Sequence, residues 1–209
     1  MREISCGGSW RKSRRVEVRH LSSKEAIALQ LEKLVATMLT LSRCENDAAP
    51  AQTRRIGVQA LMRECWRHSA AGAEENKLRF DERIAPDFTV ECDEEKLGII
   101  LRNLVENAVA HSEPGTVVEC RADATELLLA NTAKDLDHAD LAHIFDRFWR
   151  KDAARTDRSH CGLGLSIARG LCETLGLRLS VDLGEDYRFE ARIAFPVRSK
   201  NNPGALSET

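Results

Sequence analysis

A chain of 209 residues with 43% hydrophobic content holds enough apolar material for one core of ordinary size. Its net charge of -2 gives no reason to expect a nucleic-acid partner. The seven cysteines form no Cys-x-x-Cys pair, which speaks against zinc and for reduced thiols in a cytosol. No run of about 18 apolar residues is present to span a membrane, and no signal peptide is visible at Met1.

In chain order, residues 1–20 read as a flexible leader, with Gly7-Gly8-Ser9 and a short basic run from Arg11 to Arg15. Over 21–46, Ile27, Leu31, Leu34, Met38 and Leu41 alternate at spacings of four and three, a heptad seam suited to partner helices. Ser22-Ser23-Lys24-Glu25 supplies a capping box at its start. Residues 47–55 read as a linker, and residues 56–196 as the main domain. Within it, a helix is expected near Gln59–Ser69. Strands are expected at Leu78–Ile84, Phe88–Glu91, Val117–Arg121, Glu126–Ala130, Arg178–Asp182 and Tyr187–Ala194. Gly184-Glu185-Asp186 reads as a hairpin turn between the last two. Residues 197–209 form a polar tail. The pattern predicts an α/β (α+β) sandwich, a mixed sheet with helices on one face, preceded by a long amphipathic helix.

Two segments carry chemistry. Leu97, Ile100, Leu101, Leu104, Val105 and Ala108 recur at helical spacing and make a core face, with Asp93 as N-cap. Asn103, Asn107 and His111, four apart, stack on another face of that helix. Two carboxamides one turn apart offer oxygens to a hard cation such as Mg²⁺, while a solvated helix face is the plainer alternative. Downstream, Gly162-Leu163-Gly164 opens a helix whose apolar positions are Leu163, Ile167, Leu171 and Leu175 and whose stop is Gly176. Glycines at a helix start let backbone N–H groups approach an anion, helped by the helix dipole, although tight turns alone also use them.

Between these segments lies Phe145-Asp146-Arg147-Phe148-Trp149-Arg150. Taken together and in this order, the three segments resemble the N box, F box and second glycine box of the catalytic ATP-binding domain of sensor histidine kinases, in the wider family of gyrase and the Hsp90 chaperones. The resemblance runs from about Arg55 to Pro196. The 21–46 segment, ending Leu39-Thr40-Leu41-Ser42-Arg43-Cys44-Glu45, resembles the second helix of the kinase dimerisation hairpin.

The resemblance implies binding of ATP with Mg²⁺ and transfer of the γ-phosphoryl group to a histidine. Asn107 would hold the metal, with Asn103 close by orienting the nucleophile or metal. His111 and the basic lid residues Arg150 and Arg155 would reach the nucleotide, and the backbone at Gly162, Leu163 and Gly164 would meet phosphates. Phe145, Phe148 and Trp149 would anchor the lid to the core. The implied partners are a response regulator and a histidine-bearing dimerisation helix, in trans or upstream, with a homodimer left open. The implied location is cytoplasmic, any membrane tether lying in an upstream sensor.

Two departures stand out. No histidine has the context of the phosphorylated one: His20 lies where the hairpin loop would be, and the others fall in the ATP-binding region. This chain therefore reads as the C-terminal part of a kinase, or a truncated relative. The family's Asp-x-Gly-x-Gly box falls on Asn131, Ala133 and Asp135. Asn131 can still accept from the adenine amino group, without charge assistance. Ala133 narrows room that glycine leaves open, and Asp135 adds a negative charge. Ala110 replaces a phosphate-contacting lysine, and His160-Cys161 stand where the family often has Gly and Ser or Thr. A weakened nucleotide box is expected. The alternative functions are a degenerate, pseudokinase-like module that regulates a partner kinase, and an anti-sigma-type serine kinase.

Overall fold

The computed structural model describes residues 53–123, 125–151 and 162–196. The expected leader, the heptad helix of 21–46 and the tail lie outside the described residues. So do Arg155, His160 and Cys161.

The elements in order are β1 (Thr53–Gly57), α1 (Val58–His68), α2 (Ala70–Glu75), β2 (Arg79–Arg83), β3 (Thr89–Asp93), α3 (Glu94–His111), β4 (Val117–Ala122), β5 (Glu126–Thr132), a 3-10 turn at Asp140–Ala142, α4 (Gly164–Thr174), β6 (Arg178–Leu183) and β7 (Arg188–Ala194). Five strands form one sheet in the order β2-β4-β5-β7-β6. Only the β2–β4 pair is parallel, so the sheet is mixed. β1 and β3 pair separately as an antiparallel ribbon. Each strand expected from the alternation is present within two residues at its ends.

The two faces of the sheet differ in chemistry. Leu127 and Leu129 on β5 sit opposite Ile193 and Ala191 on β7, and all four are buried in the core cluster. That face carries the helices. The other face is a lattice of charge: Arg188 reaches Glu119 and Glu190, and Arg192 reaches Glu126 and Glu190. Opposed residues of an antiparallel pair share a face, so alternation along β7 sorts Phe189, Ala191 and Ile193 inward and Arg188, Glu190 and Arg192 outward, while Leu128 and Ala130 of the central β5 stay buried beneath the charged lattice.

α3 is the central helix. Asp93 accepts the Lys96 N–H at 3.0 Å, the cap expected of it. Glu94 and Glu95 in the first turn complement the helix dipole. Leu97, Ile100, Leu101, Leu104 and Val105 are almost wholly buried, and each such side chain contributes about 1.5–3 kcal/mol relative to exposure. α1 lies beside α3, with Met62 and Cys65 buried. Trp66 of α1 stacks on Phe80 of β2 at 4.4 Å between centroids.

α4 packs against α3 on its other flank. It ends as expected at Gly176, where φ is 68°. Leu177 N–H donates to Cys172 C=O at 2.8 Å and Gly176 N–H to Glu173 C=O at 3.1 Å, the paired bonds of a Schellman stop. Four thiols, Cys65, Cys92, Cys120 and Cys172, are free and buried. Burial pushes Cys65 up to about 11 and Cys120 and Cys172 up to about 12, so these are inert packing groups.

Candidate nucleotide site

The polar stripe of α3 forms as its spacing predicts. Asn103 and Asn107 are half-buried, and His111 is exposed at the helix end. Asn103 is already engaged. Its Nδ2 donates to the Ile99 carbonyl at 2.8 Å, one turn back. Its Oδ1 faces α4 so closely that a Cβ on Gly164 would lie 3.1 Å from it. Asn103 therefore couples α3 to the start of α4. Asn107 makes no hydrogen bond to another described residue, which leaves its carboxamide available to a ligand.

The end of α3 is tied to the end of β5. Glu113 N–H donates to Thr132 C=O at 2.8 Å, and Lys134 pairs with Glu113 at 3.4 Å. This brings Asn131, the last inward position of β5, to the same end of the sandwich as the lower half of α3. Asn131 is 4% exposed, opposite Phe189, and its Nδ2 has no hydrogen-bond partner. Ala133 is buried, and its N–H donates to Tyr187 C=O at 2.8 Å. Its φ is not positive, so alanine is unstrained in a place where glycine was the family expectation. Asp135 is exposed.

The start of α4 has no side-chain cap and no acidic residue in its first turn. Its first amide groups therefore lack intrahelical acceptors and favour an anion. Gly162 holds a left-handed φ of 68°. A Cβ there would lie 2.6 Å from the Trp149 carbonyl and 2.9 Å from the Phe148 carbonyl carbon, so only glycine fits. Gly162 C=O accepts from Phe148 N–H at 2.9 Å. Leu163 is buried and fixes this junction to the core.

The aromatic expectation needs one correction. Phe145 and Trp149 pack on the core cluster as foreseen, but Phe148 is 53% exposed with φ at 67°. Phe148 holds the glycine segment through its backbone, while its ring stays outside. A left-handed non-glycine residue at such a join has no signature in composition or periodicity.

Three contacts here were not legible in advance. Arg169 of α4 sits over the Phe145 ring at 5.1 Å, a cation–π contact. Lys151 donates to Asp137 at 2.7 Å and Asp140 at 2.6 Å, which fixes one end of the basic segment to the box loop. His143 meets Asp146 at 2.9 Å. Lys151 thus serves as an anchor, while Arg150 of the same segment is half-buried and Arg147 exposed. Among the described residues, no group of three or more His, Cys, Asp or Glu side chains could hold a metal. None of their helices is long and apolar enough to cross a membrane.

The comparisons agree with this geometry. The family described as histidine kinase-, DNA gyrase B- and HSP90-like ATPase matches residues 92–199. The chain is 27% identical over 183 residues to the sensor protein CzcS of Cupriavidus metallidurans, covering 85% of this chain and 38% of the relative. It is 27% identical over 201 residues to the sensor protein CiaH of Streptococcus pneumoniae, covering 90% of this chain and 45% of the relative. The chain thus spans less than half the length of these curated relatives. Among solved structures, the fold is similar to the Acinetobacter baumannii histidine kinase AdeS, with a TM-score of 0.66 at 17% identity over 82% of this chain and 81% of that one. It is also similar to full-length ShkA in complex with AMPPNP, with a TM-score of 0.67 at 22% identity over 83% of this chain and 39% of that one. The asparagine helix, the uncapped glycine-led helix and these matches converge: the chain belongs to the histidine kinase-, DNA gyrase B- and HSP90-like ATPase family and carries the ATP-binding catalytic domain of the sensor histidine kinases of two-component signalling.

Proposed function

We propose that this domain binds Mg²⁺-ATP between α3, the end of β5 and the start of α4, and delivers the γ-phosphoryl group to a histidine on a dimerisation helix. The observation that carries the reading is the convergence of three unsatisfied groups at one end of the sandwich: the Asn107 carboxamide, the buried Asn131 Nδ2 and the uncapped amides of α4. ATP supplies the transferable phosphoryl group, and Mg²⁺ neutralises its charge when bound. Asn107 holds the cation through its amide oxygen. Asn103 keeps α4 seated against α3 so that the backbone at Gly162, Leu163 and Gly164 meets the phosphates. Arg150 and Arg155 add positive charge from the lid, and His111 borders the site at the end of α3. Asn131 reads the base with a neutral amide, which weakens adenine binding relative to a carboxylate. The acceptor histidine belongs to a helix in trans or upstream, and the phosphoryl group passes on to a response regulator. A homodimer would supply such a helix in trans.

Calorimetric titration with a non-hydrolysable ATP analogue tests the reading. Binding that strengthens at least about tenfold with Mg²⁺, and loses that gain in Asn107→Ala, is the expected result for one lost metal ligand. Absence of binding at millimolar analogue sinks the proposal. With binding established, a γ-labelled ATP assay on a separate histidine-bearing hairpin reads the transfer, and an unlabelled hairpin removes the kinase half of the reading.

A further inference from the structure

The buried amide of Asn131 bears on which base the site accepts. Its Nδ2 is enclosed without a partner at the end of β5, with Leu129 and Ala133 two residues away on either side and Phe189 opposite, all apolar. Leaving a buried N–H unpaired costs on the order of 1–3 kcal/mol, so a turn of the amide that presents Nδ2 to a ligand acceptor recovers an interaction the fold does not supply. A carboxylate at this position could only accept. A carboxamide both donates and accepts.

Purines divide on this chemistry. Adenine presents a donor, the amino group on C6, beside an acceptor, N1. Guanine and hypoxanthine present the reverse, an acceptor O6 beside a donor N1–H. A carboxamide meets either edge after a half-turn about Cβ–Cγ, with Nδ2 donating to N1 of adenine or to O6 of a 6-oxopurine. A carboxylate meets only the amino edge and repels O6.

Resting on the nucleotide reading of the site, we infer that Asn131 opens the base pocket to 6-oxopurine nucleotides and removes the discrimination that a carboxylate would impose. Asn131 is thus the specificity-determining residue of the pocket. The neutral amide costs the adenine contact its charge assistance and gives the 6-oxopurine contact a donor.

The test is titration of the Mg²⁺ complexes of ADP and IDP into the wild-type chain and into Asn131→Asp. IDP differs from ADP only at the purine edge in question. The wild type should bind the two within about threefold. Asn131→Asp should keep ADP and lose IDP by tenfold or more, the scale on which a site rejects a group it cannot pair. A wild type that binds ADP but rejects IDP by about thirtyfold overturns the inference and leaves the nucleotide site standing. An unchanged ADP-to-IDP ratio in a folded Asn131→Asp also overturns it. Binding of neither nucleotide overturns the site reading, and this inference with it. The wild-type ratio needs no variant, so a misfolded Asn131→Asp does not rescue the idea.

Discussion

At the scale of single residues, Gly162 is the position with least latitude. Its φ of 68° and the Trp149 carbonyl 2.6 Å from any added Cβ exclude a side chain on two separate grounds. A left-handed non-glycine costs roughly 1–2 kcal/mol before the clash is counted. Gly162→Ala should therefore lower the melting temperature by several degrees and weaken nucleotide binding, because the Phe148–Gly162 hydrogen bond must shift. Gly170 on α4 has open space around its Cβ position, so Gly170→Ala should be neutral or stabilising by up to ~1 kcal/mol. Paired thermal melts decide it, and equal melting temperatures for the two variants would refute the steric account. The glycines of this join were visible in the sequence as a helix start. The reason one of them is obligatory was not, because it depends on a carbonyl thirteen residues away.

At the scale of elements, α3 is the part most fully written in its own residues. The apolar period, the Asp93 cap and the acidic first turn agree, and the helix runs Glu94–His111. Asp93→Ala should cost ~1 kcal/mol, the usual value for a lost N-cap, as a reduced midpoint in urea. No change in midpoint would mean that Lys96 N–H finds another acceptor. Two elements escaped sequence reading for physical reasons. β1 is Thr53-Arg54-Arg55-Ile56-Gly57, exposed at its first three positions, so it shows no alternation; its pairing with β3 makes it a strand. α2 is six residues, Ala70–Glu75, too short for a period, and its Gly72 lies close to Val109 of α3. Tertiary contact set both outcomes, which is where local propensity is weakest. In the site, the polar stripe was legible from spacing, but the engagement of Asn103 with Ile99 and of Lys151 with Asp137 and Asp140 arises only when loops and helices meet.

At the scale of the whole molecule, an inward carboxylate joins the Trp66–Phe80 stack in holding the edge strand β2 to α1. Glu82 is 8% exposed at its side chain and pairs with Arg63 at 2.6 Å. It also accepts from Gln59 Nε2 and the Ile84 N–H, each at 3.0 Å. Burial pushes this carboxyl up, but the three hydrogen bonds outweigh it and hold the group below its ordinary value of 4.5. A lowered folded-state value means stability that is present above the ordinary value and is lost as pH falls through the lowered one. Stability should thus decline on acidification from about pH 4.5 downward. Glu82→Gln should be less stable at neutral pH and show a flatter acid limb in denaturation followed by circular dichroism. An acid limb as steep as the wild type's would assign the effect elsewhere. The same buried charge turned inward on an edge strand also discourages sheet-to-sheet association. The order of strands has a consequence in time. β7 is the last of the described strands, yet it lies between β5 and β6, with Glu126 beside Ala194 and Thr132 beside Arg188. During synthesis, β5 must wait for residues more than fifty positions downstream before its second edge is closed. Until then Leu127 and Leu129 lack the β7 residues that pair beside them, and that edge is open to pairing with other chains. A chain halted just before β7 would have every motif of the nucleotide site and no closed sheet to hold them.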